Sequence, residues 1–243
     1  MLQRFLNQLL RDRKLTPADK LYAAHAFTWG ARHRNKTGKL IKSSTEFYGW
    51  NRSYACKNLG IEPEHVNYAQ RLKQFDFITV DYVLQRGRNH TRLRLKKPLS
   101  EYTYFVYPEA VLTIDILNPT ERTVLLLAFM LRDQSNYQLR SDRSFINEIS
   151  CCLGLGERQA KYIKKAMVDA GFLKEIVRAG KPSLFELLPH QLLDLDWDAL
   201  PLRKHGAPEV SKTVIVEVNE DDEMLALRER LAPLRSHSAP TVA

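Results

Sequence analysis

A mainly α fold with small β wings, built as two tandem copies of one module plus a C-terminal extension, is what this sequence predicts. Two observations predict it. Residues 15–27 (LTPADKLYAAHAF) return 102 positions later as residues 117–129 (LNPTERTVLLLAF), and each copy is followed by the same succession of helix, turn, helix and hairpin signals. Charge then separates the copies: residues 1–107 hold 20 Lys and Arg against 8 Asp and Glu, a net of +12, while 108–189 hold 11 against 10 and 190–243 hold 6 against 10.

Both motif copies read as helix starts for one reason. Thr16 or Asn118 can cap, Pro17 or Pro119 suits the first helical position, and Asp19 or Glu121 falls where a carboxylate meets free backbone N–H groups. In the first copy, residues 35–44 then read as a loop. A helix ending in Tyr54-Ala55-Cys56-Lys57-Asn58 meets Leu59-Gly60-Ile61, and residues 62–74 read as a third helix with Tyr68, Leu72 and Phe75 on its apolar side. A hairpin follows, with strands at 78–85 and 91–96 turning at Arg86-Gly87-Arg88-Asn89. Residues 98–116 carry Tyr102, Tyr104, Phe105, Val106 and Tyr107, too aromatic for a free linker, so they are expected to pack on one domain or between both.

In the second copy, Ser141-Asp142 can cap a short helix with Phe145, Ile146, Ile149 and Cys152 on one side, stopped by Gly154-Leu155-Gly156. A third helix from Glu157 repeats apolar residues at Ala160, Ile163, Met167 and Ala170 and ends at Gly171. Strand-like runs at 172–179 and 183–188 are separated by Gly180-Lys181-Pro182. Helix, helix, turn, helix, hairpin is the winged helix-turn-helix order. The expected domains are therefore 1–97, a basic winged helix; 98–116, an aromatic linker; 117–189, a second winged helix; and 190–243, an acidic extension. That extension has a strand-like run at 213–218, an amphipathic segment reaching about Leu234 and a disordered end.

The basic first copy points to an anionic polymer as partner. A helix-turn-helix lays its second helix in the major groove, where Asn and Gln can pair with adenine and Arg with guanine. His65, Asn67, Gln70, Arg71, Lys73 and Gln74 occupy the polar side of the first copy's third helix, and Arg158, Gln159, Lys161, Lys164 and Lys165 the comparable side of the second. An ordinary solvated face is the alternative for either. In RGRNHTRLRLKK (residues 86–97), Leu93 and Leu95 alternate with Arg92, Arg94 and Lys96, placing cations opposite the core side; with Arg86, Arg88 and Lys97 this hairpin suits phosphate or minor-groove contact. Edge-strand cations that only discourage aggregation are the competing reading. The second hairpin offers Arg178 and Lys181 alone. Arg32, Arg34, Lys36, Lys39 and Lys42 add nonspecific phosphate attraction.

Catalytic and cofactor signals are poor. Gly154 opens a GxG without the third glycine or the preceding strand of a dinucleotide site, no phosphate-binding GxxxxGK[ST] occurs, and the seven histidines show no metal-ligand spacing. Cys56, Cys151 and Cys152 form neither a disulfide framework nor a zinc pattern. No run of about 18 apolar residues is present, so no membrane is expected. The expectation is a soluble, cytoplasmic, nucleoid-associated binding protein with no catalytic residues, metal or cofactor.

The sequence Phe105-Val106-Tyr107-Pro108 leading to LNPTER, the Leu153-Gly154-Leu155 turn and the Ala170-Gly171-Phe172-Leu173 exit resemble tandem winged-helix DNA-binding proteins, especially replication initiators of plasmids and phages and related regulators. The resemblance covers about residues 14–189. It implies that third helix and wing bind DNA and that homodimers or assemblies form on repeated sites. The leading expectation is sequence-specific binding of double-stranded DNA by a mobile-element replication initiator or transcriptional regulator, with the second copy or the acidic tail free to engage a protein partner. A tandem winged-helix interaction subunit of a chromosome-organising complex is the alternative.

Overall fold

The structure, a computed structural model, describes residues 2–28, 30–34, 40–49, 52–63, 68–85, 88–132, 138–139, 145–179, 181–188 and 190–193. In chain order its elements are β1 (Leu2–Leu6), α1 (Asn7–Arg11), α2 (Pro17–Thr28), β2 (Gly30–Arg34), β3 (Leu40–Gly49), α3 (Arg52–Leu59), α4 (Tyr68–Leu72), β4 (Ile78–Gln85), β5 (Arg88–Leu95), β6 (Tyr104–Pro108), α5 (Pro119–Leu131), α6 (Phe145–Leu153), α7 (Glu157–Asp169), β7 (Leu173–Arg178) and β8 (Lys181–Leu187). The chain divides into two units, Met1–His205 and Gly206–Ala243. The second unit, with the strand expected at 213–218, the amphipathic segment and the chain end, lies outside the described residues.

The two motif copies become the two central helices. Every residue from Ala18 to Thr28 in α2 and from Arg122 to Leu131 in α5 is buried, and the two helices pack on each other. Their starts are built alike. Thr16 Oγ1 accepts from the Asp19 N–H at 3.2 Å while the Asp19 carboxylate accepts from Thr16 N–H at 3.1 Å. Asn118 and Glu121 form the corresponding box, with Asn118 Oδ1 accepting from Glu121 N–H at 3.0 Å and Glu121 Oε2 from Asn118 N–H at 2.8 Å.

β1 pairs antiparallel with β6, Leu2 opposite Pro108, Arg4 opposite Val106 and Leu6 opposite Tyr104. A twofold axis between Arg4 and Val106 carries each β1 residue onto the β6 residue 102 positions later. The motif repeat has that same offset. Packing obeys the axis: α1 lies against α5, and its counterpart, the 3-10 turn Glu109–Leu112, lies against α2. Phe5 and Tyr107, Leu9 and Val111, Leu10 and Leu112, Leu15 and Leu117, and Phe27 and Phe129 are buried at equivalent places. Tyr107 seals the centre, its hydroxyl donating to the Ala24 carbonyl at 3.2 Å.

The expected mainly α class with small wings is overturned. Among the described residues eight strands form three antiparallel sheets, and the largest of these, ordered β2-β3-β5-β4, has four strands. The hairpin expected to be a free wing is part of that sheet, because β3 pairs along β5, Phe47 opposite Leu93. The loop expected at 35–44 is displaced by β2 and β3: Arg32 stands opposite Lys42 and Arg34 opposite Leu40, while 35–39 lies outside the described residues. Their side-chain pattern is too polar to announce strands; the β5 edge supplies β3 with a partner, and β3 in turn pairs with β2. The charged N-terminus likewise becomes β1 because β6 pairs with it. Of the third helix expected at 62–74, α4 covers Tyr68–Leu72, with a turn at Lys73 and Gln74.

In the C-terminal half α5, α6 and α7 precede the β7–β8 pair, in which Arg178 opposes Lys181, so Lys181 begins a strand instead of occupying the turn. The expected cap at Ser141-Asp142 lies outside the described residues. Gly154 (φ +66°) ends α6 and Gly60 (φ +57°) ends α3, both in the left-handed region that a Cβ disfavours.

Candidate nucleic-acid interface

Alternation along β5 sorts its side chains as the sequence implies. Leu93 and Leu95 are buried with Ile78 and Val80 of β4, and Arg92 and Arg94 stand on the opposite side of the sheet. Those arginines are not bare. Arg92 Nη2 is 3.1 Å from Asp81 Oδ2, and Arg94 reaches both Glu46 at 3.2 Å and Asp81 at 3.4 Å. Asp81 sits opposite Arg92 in the β4–β5 register, and Glu46 opposite Arg94 in the β3–β5 register, so the cross-strand neighbours neutralise the stripe locally. Lys96 and Lys97 are exposed, Lys97 pairing with Glu101 at 3.9 Å. Arg86 lies outside the described residues; Arg88 opens β5 opposite Gln85.

The helix expected to read DNA in the first half is less open than its sequence suggests. His65 and Asn67 lie outside the described residues. Arg71 donates to the carboxylate of Asp19, which is fully buried at the start of α2. That arginine ties α4 to the central helix. Gln70, Lys73 and Gln74 are exposed, with the Lys73 ammonium 5.9 Å from the centre of the Tyr82 ring.

α7 is two-faced. Gly156 is its N-cap, and Ala160, Ile163 and Met167 bury one side. Arg158, Gln159, Lys161 and Lys165 are exposed on the rest, together with Tyr162, 75% exposed. Lys161 meets Glu157, one turn earlier at 2.6 Å; that pairing holds the Glu157 carboxyl below its usual range and leaves both groups in solvent. Lys164 points elsewhere: its ammonium donates to Glu175 of β7 at 2.7 Å and lies 5.5 Å from the centre of the Phe185 ring. The hydrogen bond from Lys164 holds the Glu175 carboxyl below its usual range. Lys164 thus fixes the β7–β8 pair to α7.

Tyr162 is a residue that the sequence reading passes over, although its place off the 160–163–167 stripe is visible there. Large, rigid and amphipathic, it can stack or insert where a lysine cannot. Among the described residues no group of three or more His, Cys, Asp or Glu side chains is placed to hold a metal ion, and no helix is long and apolar enough to cross a membrane. No protein-family model matches the chain, and no curated protein or solved structure matches it.

Proposed function

We propose that this protein binds double-stranded DNA, with the solvent face of α7 as its principal reading surface. The observation that carries the reading is the division of that helix: one side anchored by Ala160, Ile163 and Met167, the other presenting Arg158, Gln159, Lys161, Tyr162 and Lys165. Arg can recognise guanine and Gln adenine, while lysines reach phosphates. Gln70, Lys73, Gln74 and Lys96 from the first half supply further exposed donors. Arg92 and Arg94, held by Asp81 and Glu46, contribute to the sheet first and to DNA second.

The role in the cell follows from where the sites fall. Sites clustered as repeats at an origin mark a mobile-element replication initiator, and a single site over a promoter marks a transcriptional regulator. The test begins with selection of bound duplexes from a genomic fragment library. For a selected duplex, joint Arg158→Ala, Lys161→Ala and Lys165→Ala substitution lowers affinity at least about tenfold, since each interaction with a phosphate or base contributes on the order of 1 kcal/mol. Unchanged affinity in a folded triple variant overturns the assignment of α7.

A further inference from the structure

The last turn of α6 is held by cations from the opposite end of the chain. Of the carbonyls at the end of α6, that of Ser150 accepts from the Gly154 N–H at 3.0 Å. The next two turn to the first half: Arg13 Nε donates to the Cys151 carbonyl at 2.7 Å, and Lys20 Nζ donates to the Cys152 carbonyl at 2.5 Å. One turn back, Arg11 is 3.6 Å from Glu148. Cations belong at this end of a helix, where unsatisfied carbonyls carry partial negative charge. Their origin is the unusual part, 132 and 138 residues away in sequence. Two residues past Gly154, Gly156 caps α7.

We propose that Lys20, assisted by Arg13, is a positioning residue for α7: it locks the end of α6 to the central helix α2 and thereby sets the angle at which α7 leaves the Gly154 turn. Stability alone does not account for the arrangement. Lys20 is fully buried, and an ammonium withdrawn from water costs more than a hydrogen bond to one carbonyl returns. The equivalent residue of the other copy, Arg122, is also buried and also donates to a carbonyl, that of Leu112, but within its own copy. Lys20 alone of this pair reaches across to the other copy.

The groups facing Lys20 are Asp12 before α2, Asp19 on α2 with Arg71 upon it, and the Cys152 thiol of α6, beyond which stand Glu148 and Arg11. Burial pushes the Lys20 ammonium down to about 8, against the opposing pull of Cys152, Asp12 and Asp19. Above that pH the amine sheds its proton, the cost of burying the charge is relieved, and the hold on the Cys152 carbonyl becomes that of a neutral donor. An arginine at this position stays charged throughout.

The ¹³Cα shifts of Gly154 and Gly156, followed from about pH 7 to about pH 9.5, read the lock directly. In the unaltered protein both glycines are expected to titrate together with a midpoint near 8, and Lys20→Arg is expected to abolish the titration. If Lys20→Arg does not fold, Lys20→Met removes the titrating group and flattens the curve equally. Absence of any titration, or a variant that titrates as the unaltered protein does, overturns the proposal. These shifts are read without nucleic acid, so they test the lock separately from DNA binding. As a functional readout, affinity for a selected duplex changes at least about threefold across the same range in the unaltered protein and holds in Lys20→Arg.

Discussion

Lys20 and Asp19 sit side by side in the first copy of the repeat, both fully buried, and they predict different responses to substitution. For Lys20 the folded-state value, about 8, lies below the ordinary 10.5. Below pH 8 the amine is charged in both states, and the cost of burying that charge is fully present. Between about 8 and 10.5 the unfolded chain binds more protons than the folded one, so this residue's contribution to stability rises with pH. The gain is about 3 kcal/mol. Denaturant unfolding near pH 7.5 and near pH 10.5, compared between the unaltered protein and Lys20→Met, isolates it: the difference between the two proteins should narrow or reverse by roughly that amount in favour of the lysine. Asp19, by contrast, closes the cap of α2 and receives Arg71. Asp19→Ala should cost about 2 kcal/mol, more than Asn118→Ala at about 1 kcal/mol, because Asn118 serves only its own cap. Urea titration ranks the two directly. A reverse order would mean that Arg71 adds nothing to the start of α2.

At the scale of elements, what can be read from the chain depends on how local the cause is. The caps at Thr16–Asp19 and Asn118–Glu121 span four residues each, and the α7 stripe repeats every three or four, so both are legible. The bounds expected for β4 also stand, because Ile78 and Val80 alternate with polar residues. β1, β2 and β3 are not legible. Leu2, Phe5 and Leu6 flank Gln3 and Arg4, and Arg32 and His33 have no apolar alternation; β1 and β3 become strands because β6 and β5 offer edges that lie far away in sequence, and β2 then pairs along β3. The arginine stripe of β5 misleads for the same reason. Its alternation is visible, but Asp81 and Glu46 become partners of Arg92 and Arg94 only once the register is known. Two element-scale outcomes follow. Leu93→Ala, removing a fully buried side chain between β3 and β4, should cost about 2–5 kcal/mol in denaturant unfolding, whereas Arg92→Ala with Arg94→Ala should cost under about 1 kcal/mol because those pairs are partly exposed. Gly154→Ala meets no atom within 4 Å, so its cost of about 1 kcal/mol is the left-handed backbone alone, seen as a small fall in melting temperature.

At the largest scale, the described core of the first unit carries the axis between Arg4 and Val106. The repeat that first marks the sequence is also a symmetry of the structure: β1 against β6, α2 against α5, α1 on α5 as the turn Glu109–Leu112 is on α2. The two copies have diverged around that axis, one gaining the β2–β3 hairpin, the other exposing the basic face of α7. The net +12 of the first half at first makes its β5 arginines the natural grip on DNA. On the proposed function the grip falls instead to α7, in the half whose charge nearly cancels. Salt dependence decides between them, because the slope of log affinity against log salt falls by about 1 for each phosphate that a cation no longer neutralises. Measured on one duplex by fluorescence anisotropy, the Arg158→Ala, Lys161→Ala, Lys165→Ala variant should flatten that slope by about 2 to 3, with Arg92→Ala, Arg94→Ala close to the unaltered protein; a flattened slope in the sheet variant and an unchanged one in the helix variant would contradict the account.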